Sequence, residues 1–376
     1  MNPPLMLLLL LLAVVALAWA IARLHLRGED LTAFDRPSGE VFGDAAAPNP
    51  AHDAVAASLG RSKAMIEGVP RRRHIEVLRK YVDELFPALP GPWRFEPVDA
   101  GGVRAEWVLA PGARDSVRTL YIHGGAFALG SPRSHRRLTA KFAEITAGAV
   151  LAIDYRLLPE HPRIAGIEDC RAAYRWMLEN GPQGPGIADV VFVAGDSAGG
   201  NLTLSLIAWV RDSGLRAPDA AVALSPATDS TMSSPSLSAN VATDPMLGPL
   251  FGPLAKFPKS LLLWVAWIRT RINPRDPIVS PVFGDLSRLP PVLVHASEAE
   301  MLRDDARRYV NRAAAAGSPV RLQTWQRMVH VWQIFHPELV EGRDALEEIR
   351  KFLAPHLARR APPPARHETG ARPDDA

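Results

Sequence analysis

The chain has 376 residues, 47% of them apolar, enough for one large mixed domain with additions. Lys and Arg number 43 against 40 Asp and Glu, a net charge of +3. Despite a pI near 9.2, that balance leaves no concentrated basic footprint and excludes a nucleic-acid-binding class. Cys170 is the single cysteine, so no intrachain disulfide can form, and the residue reads as a small buried one on a helix.

The first element is an apolar run. Residues 5–22 contain no charge, and as a helix rising about 1.5 Å per residue they would span roughly 27 Å, close to the hydrocarbon thickness of a bilayer. Trp19 fits an interfacial position, and Arg23 and Arg27 follow. Two readings compete: an uncleaved anchor, or a secretory signal cut after Ala18-Trp19-Ala20. Met1-Asn2-Pro3-Pro4 lacks the basic residue that normally precedes a signal core, which favours the single-pass anchor. Basic residues only on the C-terminal flank lean toward a cytoplasmic catalytic domain; cleavage would make it secreted or periplasmic.

Residues 28–53 are polar, with scattered Gly and Pro, and read as a linker. Helical periodicity follows at 54–67 and 72–86, the second with Ile75, Leu78, Val82 and Leu85 on one face. Short strands are expected at 93–98, 104–110 and 117–122. The chain then alternates: strand 149–154, helix 166–180, strand 189–194, helix 200–213, strand 220–225. An insertion at 227–275 interrupts before strand 291–296, helix 301–317, strand 319–325 and helix 333–354. This alternation predicts an α/β fold with a parallel sheet and helices on both faces. Within the insertion, Leu261 to Ile268 is too short to cross a bilayer. It reads as a buried helix over the core or as a lid, which flanking Lys256, Lys259, Arg269 and Arg271 could rest on a membrane surface. The tail, 357–376, is proline-rich and mixed in charge, and is expected to be disordered.

The chemistry centres on Gly195-Asp196-Ser197-Ala198-Gly199, between the apolar run Val190–Val193 and a helical pattern. A serine on a sharp strand-to-helix turn is strained, and glycines two residues either side remove colliding side chains. The turn lifts the hydroxyl above the sheet at the positive end of the next helix. Acyl transfer by serine also needs a base, an acid to orient it, and donors for the oxyanion. The loop after the third expected strand reads His123-Gly124-Gly125-Ala126, where small residues let backbone N–H groups approach a negative oxygen. His123, on that loop, is expected to hold the loop rather than to act as a base.

These two motifs resemble the hormone-sensitive-lipase family of α/β-hydrolases. Asp154-Tyr155-Arg156 through Pro162, Asp276-Pro277 through Pro281, and Met328-Val329-His330 match as well, so the resemblance covers about residues 75–355. It implies an α/β-hydrolase fold, with a mostly parallel eight-stranded sheet and a helical cap, over residues 54–356. The cap would come from 54–90 and 227–275. It also implies roles. Ser197 would be the nucleophile and His330 the base; the amides of Gly125, Ala126 and Ala198 would form the oxyanion hole. The family usually has a third glycine where Ala126 stands; the donor would survive at a negative φ. The acid falls on Glu300, with Asp304 as rival; for Asp304, favouring the N-terminus of the following helix is the plainer reading. Glu298 reads as a residue supporting the site from behind or as a surface one. Asp154 and Arg156 are expected to brace their loop as an ion pair; His135, His161 and His336 are given packing or surface places.

The implied activity is hydrolysis of short- to medium-chain carboxylic esters through a Ser-His-Glu triad and an acyl-enzyme. The expected partners are a small ester or lipid-like substrate and a membrane. No cofactor and no metal is expected, for want of ligand spacing or a phosphate loop. Two alternatives stay open: a deacetylase or amidase of the membrane-anchored arylacetamide type, and a non-catalytic receptor on the same fold, as in the gibberellin receptors.

Overall fold

Apolar runs of small and β-branched residues, bounded by Gly, Pro and Asp, supply the strands of a large sheet. The computed structural model describes residues 3–44, 46, 49–60, 65–87 and 90–358. In chain order the strands are β1 (Glu40–Phe42), β2 (Arg94–Asp99), β3 (Arg104–Leu109), β4 (Arg114–Ile122), β5 (Gly148–Ile153), β6 (Val190–Asp196), β7 (Ala220–Leu224), β8 (Val292–Ser297) and β9 (Val320–Trp325). Among the described residues they form one 9-stranded sheet in the order β1-β9-β8-β7-β6-β4-β5-β3-β2. Only β3 runs antiparallel to its neighbours.

Successive residues of a strand face opposite sides, and the burial follows that alternation. Leu151, Ile153, Val191 and Val193 pack with helices α5 (Arg163–Glu179), α6 (Ala198–Asp212) and α10 (Arg303–Ala315). Val150, Ala152, Phe192 and Ala194 pack with α4 (Arg136–Thr146) and α11 (Val340–Ala358). Both faces are thus covered, as a parallel sheet requires. Cys170 sits buried on α5, where burial pushes its thiol up to about 12.

Four expectations need correction. The sheet has nine strands, not eight, because the segment taken as a linker contributes β1 at its edge. Val41 pairs with Thr324, and Phe42 stacks on Trp325 with ring centroids 4.5 Å apart. Earlier in that segment Leu31 is 2% exposed, and Asp35 takes a forked pair of hydrogen bonds from Arg308. Second, the helix expected at 54–67 is α2 (Pro50–Leu59), begun by Asn49, whose side chain accepts the amide of His52, and followed by Gly60. Third, 333–354 divides into a 3₁₀ turn (Trp332–Phe335) and α11, since Pro337 cannot continue a helix. Fourth, α4 was not expected at all. The notional tail overlaps α11 at Leu357 and Ala358; its remainder lies outside the described residues.

The insertion after β7 carries α7 (Ser236–Ala239), α8 (Gly248–Phe251) and α9 (Lys259–Thr270). Its two stems are joined by one side chain: Asn201 of α6 donates to Ala227 O at 2.7 Å and to Val279 O at 2.9 Å. Ahead of the sheet, α3 (His74–Leu85) reaches over with Arg79, which donates to Ala128 O, Leu158 O and Glu160. At the N-terminus, α1 (Pro3–Ile21) runs into a π-helical turn, Ala22–Leu26. Among the described residues this is the one helix long and apolar enough to cross a bilayer, a measure that a secretory signal also passes.

Candidate active site

The connection from β4 to β5 steps one way, and that from β5 to β6 crosses back over β4. In open α/β sheets such a reversal leaves a crevice at the carboxyl ends of the strands. Ser197 lies there, between the end of β6 and the start of α6, with φ 53° and ψ −115°. Its amide donates to Leu224 O at 2.7 Å, fixing the turn against β7. A Cβ at Gly195 would stand 2.6 Å from the carbonyl oxygens of Ile122 and Gly199, and one at Gly199 would run into Ile122 O. The two glycines are therefore required by close approach of β4.

Hydrogen bonds run in file from this serine. His330 Nε2 is 2.9 Å from Ser197 Oγ, and His330 Nδ1 is 2.6 Å from Glu300 Oε2. His330 is 2% exposed and Glu300 0%, while Ser197 is partly open. The other oxygen of Glu300 accepts the amide of Ser297 at 2.8 Å, so the carboxylate cannot swing away. Burial pulls the His330 imidazole down, yet the Glu300 hydrogen bond and charge outweigh it and hold the ring above its ordinary value. The turn bearing Glu300 is gripped by the insertion: Asn240 donates to Glu300 O at 2.8 Å, and Asp244 accepts the amide of Met301 at 2.9 Å.

The rival carboxylates point elsewhere. Asp304 accepts from Arg303 and Arg307 and takes the amide of Ser236 at 2.9 Å, bracing α7. Burial would raise this carboxyl, but its hydrogen bond and charge interactions with Arg303 and the charge of Arg307 hold it below the usual range. Glu298 pairs with Arg307 at 3.2 Å. Asp154 and Arg156 do not pair with each other. Arg156 binds Asp169 and Asp154 binds Arg104, because each side chain leaves the strand end toward a different element.

Across from the serine is the glycine loop. Gly125 has φ 113°, Ala126 53° and Phe127 61°. The condition set for Ala126, a negative φ, is not met: alanine here takes the left-handed conformation a glycine would, at a cost of about 1–2 kcal/mol. Among the described residues nothing accepts the amides of Gly125 and Ala126. Ala198 opens α6, so its amide has no preceding turn to bind. His123 is buried, stacks on Tyr155 at 4.3 Å, and lies 2.7 Å from Gly124 O through Nδ1. Burial, then the nearby His135, pushes its pKa down to about 3, which keeps it neutral.

A buried network under this loop was not legible as such. Asp196 Oδ1 accepts from Tyr121 OH at 2.8 Å and from Gly124 N at 3.2 Å, and Oδ2 lies 3.2 Å from His135 Nε2. Burial acts against both charges, but Asp196 raises the His135 imidazole and is itself lowered by it. The signal was present: a carboxylate at the end of an all-apolar strand must find a partner. His336 is likewise buried, 3.1 Å from Arg137 O. Among the described residues no three His, Cys, Asp or Glu side chains are grouped to hold a metal ion.

Comparison with known proteins follows the same lines. A family model described as alpha/beta hydrolase fold matches residues 119–334. An acetyl-hydrolase of Streptomyces hygroscopicus is 40% identical over 257 residues, covering 68% of this chain and 81% of that one. The carboxylesterase/phospholipase LipF of Mycobacterium tuberculosis is 32% identical, covering 66% of each. A crystal structure of an esterase from the bacterial hormone-sensitive lipase family superimposes with a TM-score of 0.71 at 35% identity, covering 83% of this chain and 99% of that one. A crystal structure of EstE5 soaked with p-nitrophenyl butyrate gives 0.70 at 33% identity, covering 83% of this chain and 100% of that one.

Proposed function

This chain belongs to the hormone-sensitive-lipase family of α/β-hydrolases and is a serine carboxylesterase, and from that premise we propose how it works and where. Ser197 Oγ attacks the ester carbonyl while His330 Nε2 takes its proton. Glu300 holds the imidazole in the productive tautomer and stabilises the imidazolium. The oxyanion forms against the amides of Gly125, Ala126 and Ala198, already turned free of other acceptors. His330 then protonates the leaving alcohol, and water deacylates Ser197 by the reverse transfers. The observation that carries this reading is the unbroken file from Glu300 to Ser197, with contacts of 2.6 and 2.9 Å.

Short- to medium-chain acyl esters are the proposed substrates. The relatives support this: one is named an acetyl-hydrolase, and another's crystal was soaked with a butyrate ester. The same acetyl preference is what a deacetylase of the arylacetamide type would need, so an acetylated arylamine belongs beside the acyl-length series. α1 is proposed to be an uncleaved anchor. In support, the helix runs without a break through Ala18-Trp19-Ala20, and Trp264 donates its indole N–H to Ala18 O at 2.9 Å. Ser197→Ala is expected to abolish both p-nitrophenyl butyrate turnover and labelling by a fluorophosphonate, with circular dichroism unchanged. Persisting turnover would refute the assignment.

A further inference from the structure

The insertion presents an apolar face that nothing among the described residues covers. Phe251, Leu254, Phe257, Leu261, Val265 and Ile268 are each between 37% and 53% exposed. Elsewhere in the folded body, exposed large apolar side chains such as Val41, Ile187 and Val340 stand singly, as is ordinary for a protein surface. On α9 the pattern is unusual in another way. Leu261, Val265 and Ile268 lie on one side at helical spacing, while Leu263, Trp264 and Trp267 line the other. A helix apolar on both sides belongs in a core or in lipid.

What lies against the second side says which. Leu263, Trp264 and Trp267 pack on Ala22 and Leu26, the turn directly after α1. Asn273, just beyond α9, donates to His25 O at 2.8 Å. The insertion is therefore fastened at the very end of the helix whose residues 5–17 stand open to the surroundings. Three tryptophans collect at this level: Trp19, with Arg23 stacked over it, and the edge-to-face pair Trp264–Trp267. Indole rings at this depth mark the water–lipid boundary. The charge agrees. From Pro245 to Arg275 the sequence holds five basic residues, Lys256, Lys259, Arg269, Arg271 and Arg275, and no acidic one. Lys256, Lys259, Arg269 and Arg271 are exposed around the apolar side chains, where they suit anionic headgroups.

We propose that α9 and the segment leading into it, residues 250–270, lie in the headgroup boundary of the same bilayer that holds α1, so that the insertion is a second, peripheral membrane contact. This rests on reading α1 as an anchor. The insertion also grips the Glu300 turn through Asn240 and Asp244, so the membrane-facing surface and the site belong to one structural unit.

The test uses the full chain in vesicles of phosphatidylcholine and phosphatidylglycerol. Leu261→Cys and Val265→Cys are each labelled with the NBD fluorophore; buried Cys170 is spared. Ile187→Cys, on the loop before β6 and so at the end of the strands opposite Ser197, is the control. Turnover of p-nitrophenyl butyrate by each labelled chain verifies folding. The expected result is loss of emission at 261 and 265 on adding doxyl lipid, with protection from aqueous iodide, and the converse at 187. Iodide quenching at 261 and 265 without doxyl quenching would overturn the proposal. Protection from both quenchers would also overturn it, pointing to a second copy of the chain on that face. Alkaline carbonate extraction is read separately: release of the chain into the supernatant would defeat the anchor itself, and the proposal with it.

Discussion

At the scale of single residues, the proposed site works by pitting burial against charge. His330 is fully enclosed, which disfavours its protonated form, and the Glu300 carboxylate more than compensates. A raised imidazole must lose its proton before it can act as a base. The acid limb of kcat/KM is therefore expected above the ordinary histidine value of 6.5, with activity falling as pH drops through it. Glu300→Gln removes the opposing charge and leaves burial, so the limb should move to lower pH while kcat falls by about 10³–10⁴-fold. A pH–rate profile of both forms checks the pair of effects. Asp304→Asn should do something different: kcat holds, and stability drops by about 1.5–3 kcal/mol, read by denaturant unfolding, because the loss is a charged brace between α10 and α7. Ser197 was legible from its own motif, because a nucleophile turn fixes its neighbours in sequence; His330 and Glu300 were reached through the family resemblance. The Asp196–His135 pairing was not legible: it joins the end of β6 to the turn just before α4, and no motif links the two.

At the scale of elements, the strands of the interior were the easiest to read. β5, β6, β7 and β8 are buried along their whole length, and their apolar runs end within about two residues of the expected bounds. α4 escaped notice although Leu138, Phe142 and Ala143 do face the core. The stripe is short, and its first turn is taken by two arginines held by distant partners, Arg136 forked onto Glu106 and Arg137 bound to Glu338 and Pro87 O. β1 escaped for the opposite reason: three residues are too few to show a period of two. The stretch before it behaves as part of the body rather than a tether. Leu31→Ala, deep in the main core, is expected to cost about 2–5 kcal/mol. In a domain of this size that amounts to a fall in Tm of about 1–2 °C per kcal/mol. A chain shortened to begin at Ala54 should melt lower still than one beginning at Gly28, since it lacks β1, the Asp35–Arg308 fork and Leu31 together. Equal melting temperatures would show that the edge strand contributes nothing.

At the scale of the whole molecule, α1 and the catalytic body are joined without slack. The turn Ala22–Leu26 is itself packed against α9, and Arg27 and Gly28 lead at once to Leu31 in the core. A chain beginning at Ala22 keeps that packing, so it should leave the membrane pellet while hydrolysing p-nitrophenyl butyrate undiminished; pelleting followed by assay of the supernatant decides. Retention in the pellet would point to binding through the insertion alone. The tight junction has a kinetic meaning as well. With α1 as the proposed anchor, a body joined so closely to a bilayer would search in two dimensions, meeting an ester dissolved in that film by lateral drift rather than from the bulk. The concentration that governs its rate is then the ester's mole fraction among the lipids, and diluting the film with inert lipid slows the reaction even where every litre of suspension holds the same amount of substrate.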